Sequence, residues 1–142
     1  MRIVIDTNIL LVSISSNSEF RWVFDSLLDE HFTRCVTTGI LIEYEEILGK
    51  HMGKELASTV LQIIENAPNV EFITKYFSWN LITADPYDNK FVDCVISGNA
   101  KYLVSHDRHF KVLETIGFPK VDVIAFPYSV LVRDTIHRFS KD

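Results

Sequence analysis

Cysteine is almost missing from this sequence, and so are the residues that divide chains into modules. Only Cys35 and Cys94 occur in 142 residues. Each lies in an apolar run without CxxC spacing or a nearby histidine pair, which excludes a disulfide framework and a thiolate zinc site. Both read as buried free thiols in a reducing cytoplasm. Five glycines and four prolines make no linker, and no repeat or low-complexity tract interrupts the chain. Residues 1–142 are therefore expected to form one domain. No stretch approaches the ~20 apolar residues needed to cross a bilayer, and the opening MRIVIDTN meets a charge too early for a secretory leader. Positive charge is not in surplus either. A formal net charge of −5 argues against a broad basic surface that grips nucleic acid by charge alone. It leaves open a protein that meets phosphate through a cation, because metal-binding carboxylates count as negative until the cation arrives.

What is present is a hydrophobic content of 47%, enough for a core, arranged as short β-branched runs alternating with helical segments. Arg2–Ile5, Thr33–Val36, Val70–Ile73, Tyr102–Val104 and Val121–Ile124 have the length of short buried strands. The intervening segments are long enough for crossover helices. Phe20–Leu28 carries a 3.6-period apolar stripe, Gly39–Leu48 and Lys54–Ile64 form a pair broken between Gly49 and Gly53, a helix opens at Asp85-Pro86 and runs to about Gly98, and Pro127–Phe139 closes the chain. This alternation predicts an α/β fold with a mainly parallel sheet covered on both faces.

Against that frame the acidic residues separate. Asp6 follows the first strand, and Asp107 follows the strand Tyr102-Leu103-Val104 through Ser105-His106. In an open parallel sheet, ligands bind beyond the carboxyl ends of the strands. Each Asp alone is explained by capping of the next turn; two at the ends of neighbouring strands bring two carboxylates to one edge. Asp88 has a structural explanation as part of a capping box, with Asp85 as N-cap and Pro86 in the first helical position. Its helical phase nevertheless matches Phe91, Val92, Val95 and Ile96, which aims it at the sheet, whereas Asp93 falls on the far side and is expected in solvent. In Ile40–Leu48 the phase sends Glu46 outward and leaves Glu43 and Glu45 flanking the buried stripe of Ile40, Leu41, Tyr44, Ile47 and Leu48. Geometry does not choose between those two.

Carboxylates converging on one spot need a cation, since two unit charges 4 Å apart repel by roughly 4 kcal/mol at an effective dielectric near 20. Hard oxygen donors suit Mg²⁺ or Mn²⁺. Such a site activates water and stabilises charge on a phosphodiester, so hydrolysis of a nucleic-acid backbone is the chemistry suggested.

The chain resembles the PIN-domain family, in particular the bacterial toxin components of toxin–antitoxin systems, the VapC-like ribonucleases. The resemblance rests on four features in order and spans almost the whole chain: the strand ending in Asp6-Thr7-Asn8, Glu43 within Leu41–Leu48, the helix start Asp85-Pro86-Tyr87-Asp88-Asn89, and the strand end Tyr102–Asp107. It implies a three-layer sandwich with a parallel five-stranded sheet and helices on both faces, and a Mg²⁺- or Mn²⁺-dependent endoribonuclease. It implies Asp6, Glu43, Asp88 and Asp107 as the catalytic acids, with Asp6, Asp88 and Asp107 on the metal and Asn8 and Ser105 in support. It selects Glu43 over Glu45, and Asp88 over Asp85 and Asp93. His106 stands where the family usually has Thr or Arg and is given no role. By the same resemblance the partners are an RNA substrate, a cognate antitoxin protein and a second copy in a homodimer, with no membrane.

Lys90 and Arg108 lie near proposed ligands and are candidates to steer a phosphate. His31, His51, His106, His109 and His137 have no metal-binding spacing; His106 and His109, beside Arg108, read as phosphate contacts or surface. Trp22, Phe24, Tyr44 and Phe91 fall on apolar stripes and belong to the core. An aspartyl-phosphate enzyme would need a second Asp where Asn8 stands and a lysine partner. The remaining alternative is a catalytically inactive PIN-like module that binds RNA or a protein.

Overall fold

The structure, a computed structural model, describes residues 1–14 and 32–124. The helices expected over Phe20–Leu28 and Pro127–Phe139, with Trp22, Phe24, His31 and His137, lie outside the described residues. In chain order come β1 (Arg2–Ile5), α1 (Thr7–Ile14), β2 (Thr33–Val36), α2 (Thr38–Met52), α3 (Lys54–Asn66), β3 (Val70–Phe72), α4 (Asn89–Ser97), β4 (Tyr102–Val104) and β5 (Val123–Ile124). Single 3₁₀ segments cover Pro86–Asp88 and Arg108–Thr115. All the strands pair in parallel in one five-stranded sheet of order β3-β2-β1-β4-β5, with Ile3 level with Arg34 on one side and Tyr102 on the other. The parallel α/β sheet expected from the sequence is the one observed.

Side chains of successive strand residues point to opposite faces. Ile3, Val4 and Ile5 are all buried, as are Cys35 with Val36 and Leu103 with Val104, so both faces of the sheet are covered. Ile40, Tyr44 and Leu48 form the buried stripe of α2, and Phe91, Val92 and Val95 that of α4. The Tyr44 hydroxyl donates to the Ile5 carbonyl, tying α2 to the end of the central strand. Each such aliphatic side chain contributes about 1.5–3 kcal/mol by leaving water. Arg34 is the exception. Its guanidinium is fully buried with no hydrogen-bond partner among the described residues, and burial pushes its pKa down to about 10. Cys35 and Cys94 are free and buried, as expected, and burial raises the Cys94 thiol to about 12, so it stays protonated at neutral pH. Among the described residues no helix is long and apolar enough to cross a membrane.

Two local expectations are corrected. The break expected from Gly49 to Gly53 narrows to one residue, because α2 runs through Gly49 to Met52 and Gly53 alone turns the chain, at φ 88°. Asp93 is not in solvent but 1% exposed. The segment between β3 and α4 lies over the side of α4 that helical phase assigns to water: the Trp79 N–H donates to Asp93 Oδ1 at 3.1 Å, and Lys75 Nζ lies 3.6 Å from Oδ2.

This topology locates the site. The chain moves from β1 outward through β2 and β3 on one side, then to β4 and β5 on the other, so strand order reverses between β1 and β4. The carboxyl ends of strands at such a switch point form the usual ligand crevice of open α/β sheets.

Candidate active site

Asp6 stands at that switch point, and backbone pairing brings the end of β4 beside it: the Asp6 N–H donates to the Val104 carbonyl at 3.0 Å. Asp6 as a whole is 5% exposed. Oδ1 accepts the Thr7 N–H at 2.7 Å and Oδ2 accepts the Ser105 hydroxyl at 2.6 Å. The Ser105 oxygen also accepts the Asp107 N–H at 3.0 Å, so one buried hydroxyl links the acids that follow β1 and β4. Asn8, beside them in sequence, is exposed and takes no part in these bonds.

Glu43 comes from α2 and is half-buried. Oε1 accepts from Lys90 Nζ at 2.8 Å, and Oε2 accepts the Thr7 hydroxyl. Lys90 sits in the first turn of α4, 5.6 Å from the centre of the Tyr87 ring. Lys90, expected near a substrate phosphate, pairs here with Glu43. Thr7 was not singled out from sequence. Its position one residue after Asp6 was the available signal, because the residue that opens α1 at the strand's end necessarily borders the same crevice.

Asp88 ends the 3₁₀ turn that precedes α4. Asp85 caps that turn through the Tyr87 N–H at 3.1 Å, as expected, but the reciprocal half of a capping box is missing. Asp88 Oδ2 instead lies 3.0 Å from His109 Nδ1, and Asp107 Oδ1 lies 3.4 Å from the same nitrogen. Asp107 caps the turn at Arg108–Thr115 by accepting the His109 N–H at 2.9 Å. Donor atoms of Asp85, Asp88 and His109 lie within 4.8 Å of one another. His109, expected as a phosphate contact or surface residue, instead lies against Asp88 and Asp107. Its place two positions after a capping Asp, which folds the ring back over the cap, was the signal that identifies it. Arg108 is exposed and, with Ser105 and Asp107, lines a small recess of about 100 Å³.

The electrostatics follow from burial and crowding. Loss of water raises the pKa of Asp6 from its ordinary 3.8 to about 6; the Ser105 and Thr7 bonds oppose this, and the charges of Asp88 and Glu43 add to it. Burial likewise raises Asp88, offset by His109 and reinforced by Asp107 and Asp85. The hydrogen bond to Asp88 raises His109 in turn. Among the described residues no lysine or arginine pairs with Asp6, Asp88 or Asp107. Among the described residues the ligand-bearing atoms that come together are those of Asp85, Asp88 and His109, and Asp6 and Asp107 are not in that group; carboxylates short of positive charge nevertheless suit a hard divalent cation.

Larger depressions of about 710 and 800 Å³ lie on α2 and α3, and neither is lined by any of these acids. The crevice at the switch point remains the place where the chemically useful groups meet.

Residues 2–109 match the sequence model of the PIN domain. A search of the curated proteins finds no match. Among solved structures the chain is similar to VapBC2 from Rickettsia felis, solved bound to a DNA fragment from its promoter. The TM-score is 0.62 at 19% identity, over 89% of this chain and 99% of that one. It is also similar to VapC20 from Mycobacterium tuberculosis, described as a Sarcin-Ricin loop cleaving toxin. That match has a TM-score of 0.56 at 14% identity, over 84% of this chain and 98% of the other. At these identities the likeness is one of fold.

Proposed function

This chain belongs to the PIN-domain family, and on that premise we propose that it is a divalent-metal-dependent endoribonuclease. In this reading Asp6, Asp88 and Asp107 hold a Mg²⁺ or Mn²⁺ ion, and Glu43 completes the catalytic set. The observation that carries it is Asp6: a buried carboxylate at the switch point, raised to about 6 by burial and by its acidic neighbours, with no cationic side chain beside it among the described residues. A divalent cation supplies the missing charge, lowers the pKa of water and stabilises charge on a phosphodiester.

The chain's own groups then divide the work. Ser105 keeps the Asp6 carboxylate and the Asp107 loop in fixed relation through one hydroxyl. Thr7 and Lys90 each hold one oxygen of Glu43, which fixes the carboxylate while leaving lone pairs to accept a hydrogen bond from water. His109 covers Asp88 and Asp107, and a cation bound to these acids would have to replace its imidazole there. Arg108, exposed beside Asp107, is free to reach a substrate phosphate.

The fold shared with VapBC2 and VapC20 supports a further step: this chain is the toxin of a toxin–antitoxin pair, with RNA as substrate, a small antitoxin protein as partner and a homodimer as its assembly. Such an enzyme works in the cytoplasm, where two buried free thiols are at home. The test is cleavage of single-stranded RNA by the purified chain with Mn²⁺ or Mg²⁺, against Asp6→Asn and against chelator. Cleavage by the wild type alone, lost on chelation, is expected. RNA binding without cleavage, unchanged in Asp6→Asn, would show an inactive binding module instead.

A further inference from the structure

The carboxyl edge of the sheet carries a second recess beside the acidic one. A cavity of about 270 Å³ opens between the end of β3 and the start of α2, and Lys75 and Lys90 both line it. They come from different elements, Lys75 from the segment after β3 and Lys90 from the first turn of α4. The hydroxyl residues Thr37, Thr38 and Thr74 make up much of the remaining wall, and no aromatic ring lines it. Ammonium and hydroxyl donors without an aromatic surface suit a phosphate and its sugar rather than a stacked base. The volume is below the roughly 300 Å³ at which sites for drug-sized ligands begin.

Both lysines have capacity to spare. Lys75 is 41% exposed on its side chain, and its 3.6 Å approach to Asp93 is longer than a good charge-assisted bond. Lys90 holds Glu43 at 2.8 Å, but an ammonium has three donors, so it can bind a phosphate without releasing that carboxylate. Lys90 therefore belongs to the walls of both the recess and the acidic site. We propose that this recess holds the backbone phosphate adjoining the one cut in a single-stranded RNA, with Lys75 and Lys90 as its cations. The proposal rests on the nuclease reading above. Lys75 acts in binding alone, whereas Lys90 links binding to the aim of Glu43.

The experiment is steady-state cleavage of a single-stranded RNA by the full chain with Mn²⁺, repeated over a salt series. Lys75→Gln raises KM by about 5- to 10-fold with kcat unchanged, and flattens the dependence of log affinity on log salt by about 0.7, the value for one single-strand phosphate contact. Gly39→Gln tests the same recess without changing charge. Gly39 lines it, a Cβ there meets only Thr37 Oγ1 at 3.9 Å, and glutamine is the better helix former, so the variant folds while narrowing the cavity. It too raises KM alone. Lys90→Gln raises KM and lowers kcat. Lys120→Gln, at an exposed lysine near the amino end of β5, changes neither. If the wild type cuts RNA while Lys75→Gln and Gly39→Gln keep its KM and salt slope, the subsite is wrong and the nuclease reading stands. If the wild type cuts nothing, the nuclease reading fails first and the subsite with it.

Discussion

The two flanks of the acidic crevice are neutralised in different ways. On the α2 side, Glu43 has one oxygen on the Lys90 ammonium and the other on the Thr7 hydroxyl, so a permanent cation and a fixed donor already satisfy it. On the β4 side, Asp88 and Asp107 share a single imidazole, which is charged only when protonated, and Asp85 adds a third acid nearby. Asp6 lies between the flanks, held by hydrogen bonds but by no cation among the described residues. The shortage of positive charge is thus localised to the side of Asp6, Asp88 and Asp107, where the proposed metal ion would sit, and Glu43 would be left for another task.

The largest effects come from breaking that division. Asp107→Asn and Asp88→Asn should abolish saturable Mn²⁺ binding and reduce cleavage by more than the ~10- to 100-fold that loss of an outer partner of a metal site typically costs. Glu43→Gln should slow cleavage by an amount within that outer-partner range and leave Mn²⁺ affinity nearly intact. Calorimetric titration beside a cleavage assay reads both quantities. Equal loss of Mn²⁺ binding in Glu43→Gln and Asp88→Asn would erase the distinction between the flanks.

Ser105→Ala comes next, because it removes the hydroxyl that joins Asp6 to the Asp107 loop. Cleavage should fall by about 10- to 100-fold. Stability should fall by about 1–3 kcal/mol, since Asp6 Oδ2 and the Asp107 N–H both lose their partner. Urea titration without metal measures the second effect. A variant that loses stability but cuts normally would reduce Ser105 to a packing residue.

Much of this was legible in the sequence, and what was not has identifiable causes. The strand runs were legible because parallel strands buried on both faces are short and largely apolar, as in RIVI and YLV, whereas their order in the sheet came only from the structure. The placement of Asp6 and Asp107 beyond strand ends was legible because a strand's end is a position that both sequence and fold define. Thr7, Lys90 and His109 contact the acids across 36, 47 and 21 residues of chain, and no local period encodes such pairings. The burial of Asp93 escapes the sequence for a related reason. Helical phase identifies the face turned from the sheet, but it carries no information about a distant segment, here Lys75–Trp79, that crosses that face. The choice of Glu43 over Glu45 likewise came from family resemblance. In the structure Glu43 contacts Thr7 and Lys90 while Glu45 is exposed, a difference of one position on a helix that phase left open.

Asp6 also sets a stability effect whose direction follows from its shift. Its folded pKa, about 6, is above the ordinary 3.8 of an unfolded aspartate, so the folded state favours the protonated acid. Without metal, stability is greatest below the unfolded value, falls as pH rises between the two, and is lowest above about 6. The shift corresponds to a cost on the order of 2–3 kcal/mol at neutral pH. Asp6→Asn should therefore stabilise the metal-free protein at pH 7 while eliminating cleavage, and the gain should vanish toward pH 4. Mn²⁺ should stabilise the wild type and leave Asp6→Asn unaffected. Matching urea curves for the two proteins at pH 7 would contradict the idea that Asp6 is held at a cost for use with a cation.

The smallest effect sharpens the composition of the β4 flank. Asp85 is close enough to Asp88 and His109 to be counted with them, yet its Oδ1 is already occupied by the Tyr87 N–H in a capping bond. Asparagine caps a helix about as well as aspartate, so Asp85→Asn preserves the turn that presents Asp88. Only a nearby negative charge is lost, in a partly exposed place where screening is strong. Mn²⁺ affinity should weaken by no more than a few-fold, far less than in Asp88→Asn. A loss as large as that of Asp88→Asn would make Asp85 a direct ligand and move the cation outward along the 3₁₀ turn, away from Asp6. The ion would then be held where the donor atoms of Asp85, Asp88 and His109 lie within 4.8 Å of one another, so this small measurement decides which acids a bound cation would take.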